Sequence, residues 1–317
     1  MKTIETVQTV QRSKSWRKWF RAEHIPLWLM LLPSIVYLVM FCYAPMVGVI
    51  LAFKKYHVGK GIFGSPWAGF KNFEFLFASS DAWVITRNTV VYSVITLFLN
   101  KALSVVLAII LNEVRPKRLT KVFQTIFMMP HFLSWVIIAM IVGAFLSKEK
   151  GLVNALLVSM GKDPVAWYQN VKFWPPFIIF LQMWKGVGYG TVLYLATISG
   201  ISQDYYEAAM LDGASRFQLA RYITIPHLST VISITIIMGM AGIFRSDIGL
   251  FYTVPQNSGA LYPVTQTLDT YIYLGLQHGG NIGMNAAAGL YQTVVGFLLV
   301  LLTNWIVSKI NPENSMF

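Results

Sequence analysis

The segment QMWKGVGYG, residues 182–190, gathers Gln182, Trp184, Lys185 and Tyr189 among three glycines. Trp and Tyr faces suit the apolar faces of sugar rings, and Gln and Lys can hydrogen-bond hydroxyls or hold a carboxylate. Glycines let a ligand or a neighbouring backbone come close. This is the chemistry of holding a solute rather than of breaking a bond. A second reading stays open, in which the aromatics face lipid and Lys185 is buried against a carboxylate. Arg245 and Asp247 lie toward one end of an apolar run, and Lys101 near the middle of another. An ionisable group inside an apolar span is a functional candidate by default. Arg245 and Asp247 stand two residues apart, so on a helix they face different partners. His131 and Trp135 lie one helical turn apart on a third run, where they serve substrate contact or core packing.

Bond-making chemistry finds little material. The five histidines are scattered without metal-ligand spacing, and the lone Cys42 lies in an apolar run. No G-x-x-x-x-G-K-[ST] occurs, so the chain has no P-loop of its own. A membrane glycosyltransferase would need an acid/base pair or metal carboxylates. The thirteen acidic residues offer neither a D-x-D nor a paired-carboxylate site. The expectation is a protein without catalytic residues, metal or cofactor of its own.

Composition fixes the setting. Of 317 residues 56% are hydrophobic and 12% charged, against roughly 25% charged in soluble domains. The chain reads as an all-α integral membrane protein. Its net charge of +12 belongs to topology and lipid headgroups, not to nucleic acid. Crossing ~30 Å of hydrocarbon takes ~20 apolar residues. Six segments qualify, at about 26–53, 88–112, 122–146, 173–201, 228–251 and 286–310. Basic residues crowd the tail 1–25 and the link VRPKRLTK, 114–121, while 253–285 has no Lys or Arg. The positive-inside rule then places both termini, including the short C-terminus 311–317, in the cytoplasm. Residues 26–310 are expected to form one six-span domain with an outer loop at 253–285. The tail, with Trp16, Trp19 and Phe20, is either a lipid-lying amphipathic segment or a topogenic coil, and the first span is expected to stay uncleaved.

Between spans four and five lies YYEAAMLDGASRFQLARYITIPHL, 205–228, inside a cytoplasmic loop 202–227. Asp204 and Glu207 read as a capping-box-like helix start, and Ala208 and Ala209 give a small-residue face. Gly213 ends this piece in the left-handed region. Ser215 and Gln218 cap a second piece, expected to be interrupted at Pro226. The product is a two-piece rigid element, suited either to a partner's groove or to the bilayer surface.

The spacing Glu207-Ala208-Ala209, then Gly213, then Ile223-Thr224-Ile225-Pro226 resembles the EAA signature of permease subunits of binding-protein-dependent ABC importers. The family usually has Leu where Ile225 stands. Asp212-Gly213-Ala214 also fits. SPWAGFKNFEFLF (65–77), FRSDIGLFYTVPQNSGALYP (244–263) and GMNAAAGLYQTVVGFLLVLLTNWIV (283–307) look like the branch importing oligosaccharides and polysaccharide fragments in Gram-positive bacteria, similar in fold to the maltose importer permeases. The resemblance implies a type I importer fold in the cell membrane. It implies a heterodimer with a second permease, two ATPase subunits that use ATP and Mg, and a lipid-anchored extracellular sugar-binding protein. It assigns Glu207, Ala208, Ala209, Asp212, Gly213, Ala214 and Ser215 to the coupling element. It leaves Gln182, Trp184, Lys185, Tyr189, Arg245, Asp247 and Trp135 as substrate-path candidates. The alternative is a secondary transporter or channel for a small polar solute, which needs no such coupling element.

Overall fold

In the computed structural model residues 25–78 and 80–310 are described. The tail residues 1–24 and the short C-terminus 311–317, both expected to be cytoplasmic, lie outside them. The chain divides into two units, 1–50 and 51–317. In the first, helix α1 (Ile25–Tyr37) carries Pro33 and runs into a π turn at Leu38–Tyr43 and a 3-10 segment at Ala44–Phe53. The run Ile25–Phe53 is long and apolar enough to cross a membrane.

In the second unit the regular elements among the described residues are helices joined by turns and irregular segments, apart from an isolated antiparallel bridge between Lys54 and Trp67. Its main helices are α2 (Ser80–Glu113), α3 (Lys117–Phe132), α4 (Trp135–Leu146), α5 (Leu152–Ser159), α6 (Trp174–Ser199), α7 (Gln203–Leu211), α8 (Arg216–Leu219), α9 (Ile225–Met240), α10 (Leu268–Gln277) and α11 (Ile282–Ile310). Asp81 sits in the first turn of α2, where the helix dipole favours an anion. Pro116 disfavours helix at Arg115 and so ends α2.

Among the described residues, four helical runs meet the length and apolarity needed to span a bilayer: Ile25–Phe53, Asp81–Glu113, Arg216–Met240 and Ile282–Lys309. A fifth arises if the pair α3–α4, bent by 94°, is one span. The expected single helix over 122–146 is therefore broken. Pro130 lies in the last turn of α3, Leu133 and Ser134 turn extended, and the Ser134 hydroxyl restarts the chain by accepting the Ile137 N–H at 3.3 Å. The expected helix 228–251 also differs, since it starts earlier and stops at Met240. Arg245 and Asp247 thus lie in a non-helical break, not in a span.

Helix α6 is long enough at 26 residues, yet its Gln, Lys and glycines keep it outside the apolar set. Its position explains why. It packs against α2 and α3, with Trp174, Ile178, Tyr194 and Ile198 almost fully enclosed. Gly188, Gly190 and Thr191 lie on that buried face, while Phe180, Trp184, Tyr189 and Leu193 stay exposed. The glycines set the distance. A Cβ on Gly188 would stand 1.9 Å from the Phe127 carbonyl oxygen, and one on Gly190 would stand 2.4 Å from Ser104 Oγ. The Ser104 hydroxyl donates to the Val187 carbonyl across the same contact, at 3.1 Å. By contrast Phe98, Leu103 and Ile110 on α2 and Phe297, Leu298 and Leu302 on α11 are exposed, as lipid-facing side chains are.

Two predictions follow from this packing. Gly188→Val should cost about 3 kcal/mol or more by forcing α3 off α6, read as a lowered melting temperature in detergent. Gly289→Ala, where an added Cβ meets nothing within 4 Å, should leave that temperature unchanged. If Gly188→Val melts like wild type, the close α3–α6 contact is wrong.

Candidate functional site

The element between α6 and α9 has the two pieces expected, with a different start. Ser202, not Asp204, caps α7 by accepting the Asp204 N–H at 3.3 Å, so Glu207 lies past the first turn and closes no box. The far end is a complete Schellman closure. The Ala214 N–H donates to the Ala209 carbonyl at 2.9 Å, and the Gly213 N–H to that of Met210 at 3.1 Å. Gly213 takes φ +81°, a conformation that favours glycine. Ser215 and Gln218 form the expected reciprocal capping box on α8.

Pro226 does not interrupt the helix. A π turn at Ala220–Thr224 joins α8 to α9, and the run continues to Met240. The wider turn accommodates the missing proline N–H, and side chains bond to neighbouring carbonyls. The Thr224 hydroxyl donates to Leu219 O at 3.4 Å, and His227 Nδ1 pairs with Ile223 O at 2.7 Å. Inward, Leu219 is buried, Tyr206 hydroxyl meets Thr224 Oγ1 at 3.0 Å, and Arg216 forms an ion pair with Glu113 at the end of α2. Outward, Glu207, Ala208, Asp212, Gly213 and Ser215 are exposed, with Ala209 and Ala214 half-buried. Leu211 is 90% and Phe217 73% exposed. The element is held at its base and offers an apolar outer face.

The membrane-depth candidates separate into three places. Gln182 and Arg245 line a polar groove of about 320 Å³ with Ser93, Thr96, Asn100 and Lys101. The sequence reading named Lys101 but missed Ser93, Thr96 and Asn100. Their spacing of three and four residues puts them on one face of an otherwise apolar helix, which was a legible signal.

The second place is a brace. Lys185 Nζ donates to the carbonyls of His131 at 2.8 Å and Leu133 at 2.5 Å, and stands 5.4 Å from the Trp135 ring centroid. These carbonyls end α3, where a cation is favoured. Trp135 Nε1 donates to Asp247 Oδ2 at 2.5 Å, and the Gly249 N–H to Asp247 Oδ1 at 2.8 Å. His131 and Trp135 are not a turn apart on one helix, because the α3–α4 break falls between them. His131 stacks instead on Tyr189 with centroids 5.0 Å apart. Trp184 lies elsewhere, beside an apolar cavity of about 300 Å³ with Phe145, Phe177 and Phe180.

The segment 253–285 is structured and tied down. Asn88 Nδ2 donates to the carbonyls of Pro263 and Gln266, and Tyr92 hydroxyl to that of Val264. Ser258 Oγ donates to Tyr168 O at 2.8 Å, and burial pushes the Tyr168 phenol above its ordinary pKa. Among the described residues no group of three or more His, Cys, Asp or Glu side chains is placed to hold a metal.

Residues 102–312 match the family model "Binding-protein-dependent transport system inner membrane component". The chain is 32% identical over 287 residues to the polygalacturonan/rhamnogalacturonan transport system permease protein YteP of Bacillus subtilis, covering 90% of this chain and 89% of that one. It is also 32% identical to protein LplB of the same organism, covering 90% of each. A solved bacterial ABC transporter involved in import of the acidic polysaccharide alginate has a chain of TM-score 0.83 and 31% identity, covering 93% of this chain and 99% of that one. The chain therefore belongs to the binding-protein-dependent transport system inner membrane components, the permease subunits of ABC importers.

Proposed function

We propose that this chain carries oligosaccharides or polysaccharide fragments across the bacterial cell membrane by alternating access, driven by separate ATPase subunits. The observation that carries the reading is the element 202–219. It is a doubly capped, base-anchored pair of helices with Leu211 and Phe217 turned out. A rigid body with an exposed apolar face is what two closing partner subunits need in order to push on a membrane domain. Its residues Glu207, Ala208, Ala209, Asp212, Gly213, Ala214 and Ser215 form the coupling face in this reading, and ATP and Mg belong to the partners.

In the same reading α6 is the sixth crossing, both termini are cytoplasmic, and a second permease completes the path. The basic link 114–121 beside Arg216–Glu113 supports that orientation. A solved relative in complex with an alginate pentasaccharide-bound periplasmic protein supports delivery by a binding protein. Carbohydrate as cargo rests on the named relatives and on the groove, whose hydroxyls, amides and cations suit a polyhydroxylated solute.

The coupling face generates two expectations. Gly213→Val forces a β-branched residue to φ +81°, at a strain cost of about 1–3 kcal/mol in the turn. In the complex reconstituted with its ATPases and binding protein, ATP hydrolysis should stop responding to loaded binding protein while the permease still folds. A normal response would remove Gly213 from coupling. Leu211→Asp with Phe217→Asp should abolish co-purification of the ATPase without changing the permease's elution profile. Undiminished co-purification would place the docking face elsewhere.

A further inference from the structure

A further cavity, of about 750 Å³, lies beside the root of the element 202–219. Sites for small ligands span roughly 300–1,000 Å³. Two runs able to cross a membrane meet at its rim: Asp81–Glu113 ends there and Arg216–Met240 begins there. The cavity therefore sits at the level where hydrocarbon gives way to headgroups.

Its walls differ in chemistry. From α3 come Lys117, Thr120, Lys121 and Gln124, spaced three and four apart and so on one helix face. From α6 come Val192, Leu195, Ala196 and Ser199, with the same spacing, apolar until the helix ends at Ser199. Arg115, between α2 and α3, adds a third free cation. Helix α3 starts at Pro116 without a side-chain cap, so no side chain covers the positive end of its dipole. These charges are not balanced within the protein. Glu113 is the acid on the lining, and Arg216 takes it. Among the described residues Arg115, Lys117 and Lys121 have no carboxylate within ion-pair distance. A solvated basic face would look out to water; this one looks across a cavity at the apolar face of α6.

A phosphate joined to acyl chains matches both walls. Its oxygens accept charge-assisted hydrogen bonds from lysine and arginine, and its chains cover Leu195 and Ala196. We infer that this cavity binds an anionic phospholipid, with the phosphate among Arg115, Lys117 and Lys121 and an acyl chain along the apolar face of α6. A soluble phosphate ester would meet the cations and leave the apolar wall wet. A choline lipid would cover the wall and bring a cation of its own to the lysines. The permease reading enters only through the leaflet, which the basic link 114–121 makes the cytoplasmic one. Gln203 and Arg216, which start α7 and α8, share the lining, so the lipid would brace the root of the coupling element.

The test uses the whole importer, both permeases with the ATPases, purified and delipidated in detergent. Dioleoyl phosphatidylglycerol or dioleoyl phosphatidylcholine is titrated in, and bound copies are counted by native mass spectrometry. Lys117→Gln with Lys121→Gln should weaken one bound phosphatidylglycerol about thirtyfold. Lys121→Gln alone should weaken it about fivefold. Arg118→Gln, on the same link but off the lining, should leave it unchanged. Ala196→Phe, which fills the apolar wall from an exposed position, should displace the same copy. Elution profiles should match wild type throughout.

Wild-type binding by the double variant overturns the proposal, as does equal retention of phosphatidylcholine. An equal loss in Arg118→Gln and Lys121→Gln means diffuse attraction to a basic surface and overturns it too. So does glycerophosphoglycerol, the deacylated headgroup, if it displaces the lipid at equal concentration, because the site is then one for a soluble phosphate. Each of these results leaves the importer reading intact, which co-purification of the ATPase through Leu211 and Phe217 tests separately.

Discussion

A backbone carbonyl inside a bilayer has to find its donor within the protein, because the hydrocarbon offers none. Three irregularities in the second unit place side chains on such carbonyls. At the α3–α4 bend the Lys185 ammonium takes the carbonyls of His131 and Leu133. At the break after α9, Gln292 Nε2 takes the Phe244 carbonyl at 2.7 Å and Asp269 holds the Ser246 N–H. At the π turn, Thr224 and His227 attend to Leu219 and Ile223. Side chains reaching across from other helices hold the first two breaks, so their geometry depends on the packing of α6 and α11. Losing one such donor exposes a desolvated acceptor, which costs more than the mean value of the bond itself.

This constraint also decides which polar residues remain for a solute. Lys185 looked like a ligand in the sequence because it sits among aromatics and glycines. Its ammonium is directed at the carbonyls of Pro130, His131 and Leu133, at the end of α3. Trp135 and Asp247 satisfy each other across the same corner. Lys101 and Arg245 meet no such demand. The distinction between bracing and binding is thus a question of which broken helix end lies within reach.

The same reasoning explains what was legible in the sequence. The capped pieces around Gly213 were readable because caps and left-handed turns are local, fixed within five residues. Glycine spacing in 186–190 was visible as close approach, though not the partner, Phe127, some sixty positions away. The start of α7 was misread because Ser202 and Asp204 are both good caps, and neighbouring residues alone do not choose between them. The bends at 133–134 and after Met240 were missed for a non-local reason. Apolar runs continue through both, and the donors that make a break tolerable lie elsewhere in the chain. The polar row of Ser93, Thr96 and Asn100 was readable by its helical period and needed only to be sought inside a span.

One helical run links the two sites. From Arg216 to Met240 is 25 residues, or about 37 Å of α-helix. It starts in the exposed element beside Phe217 and ends beside Gly239 and Gly242, both on the groove wall with Arg245. A displacement applied at Phe217 therefore reaches the groove through continuous backbone, with the π turn at Ala220–Thr224 as the place where the run can bend. The Arg216–Glu113 ion pair joins the start of that run to α2, which carries Lys101 on the same groove. In the proposed reading, a movement of the coupling face reaches the groove through this run and, by way of Glu113, through α2.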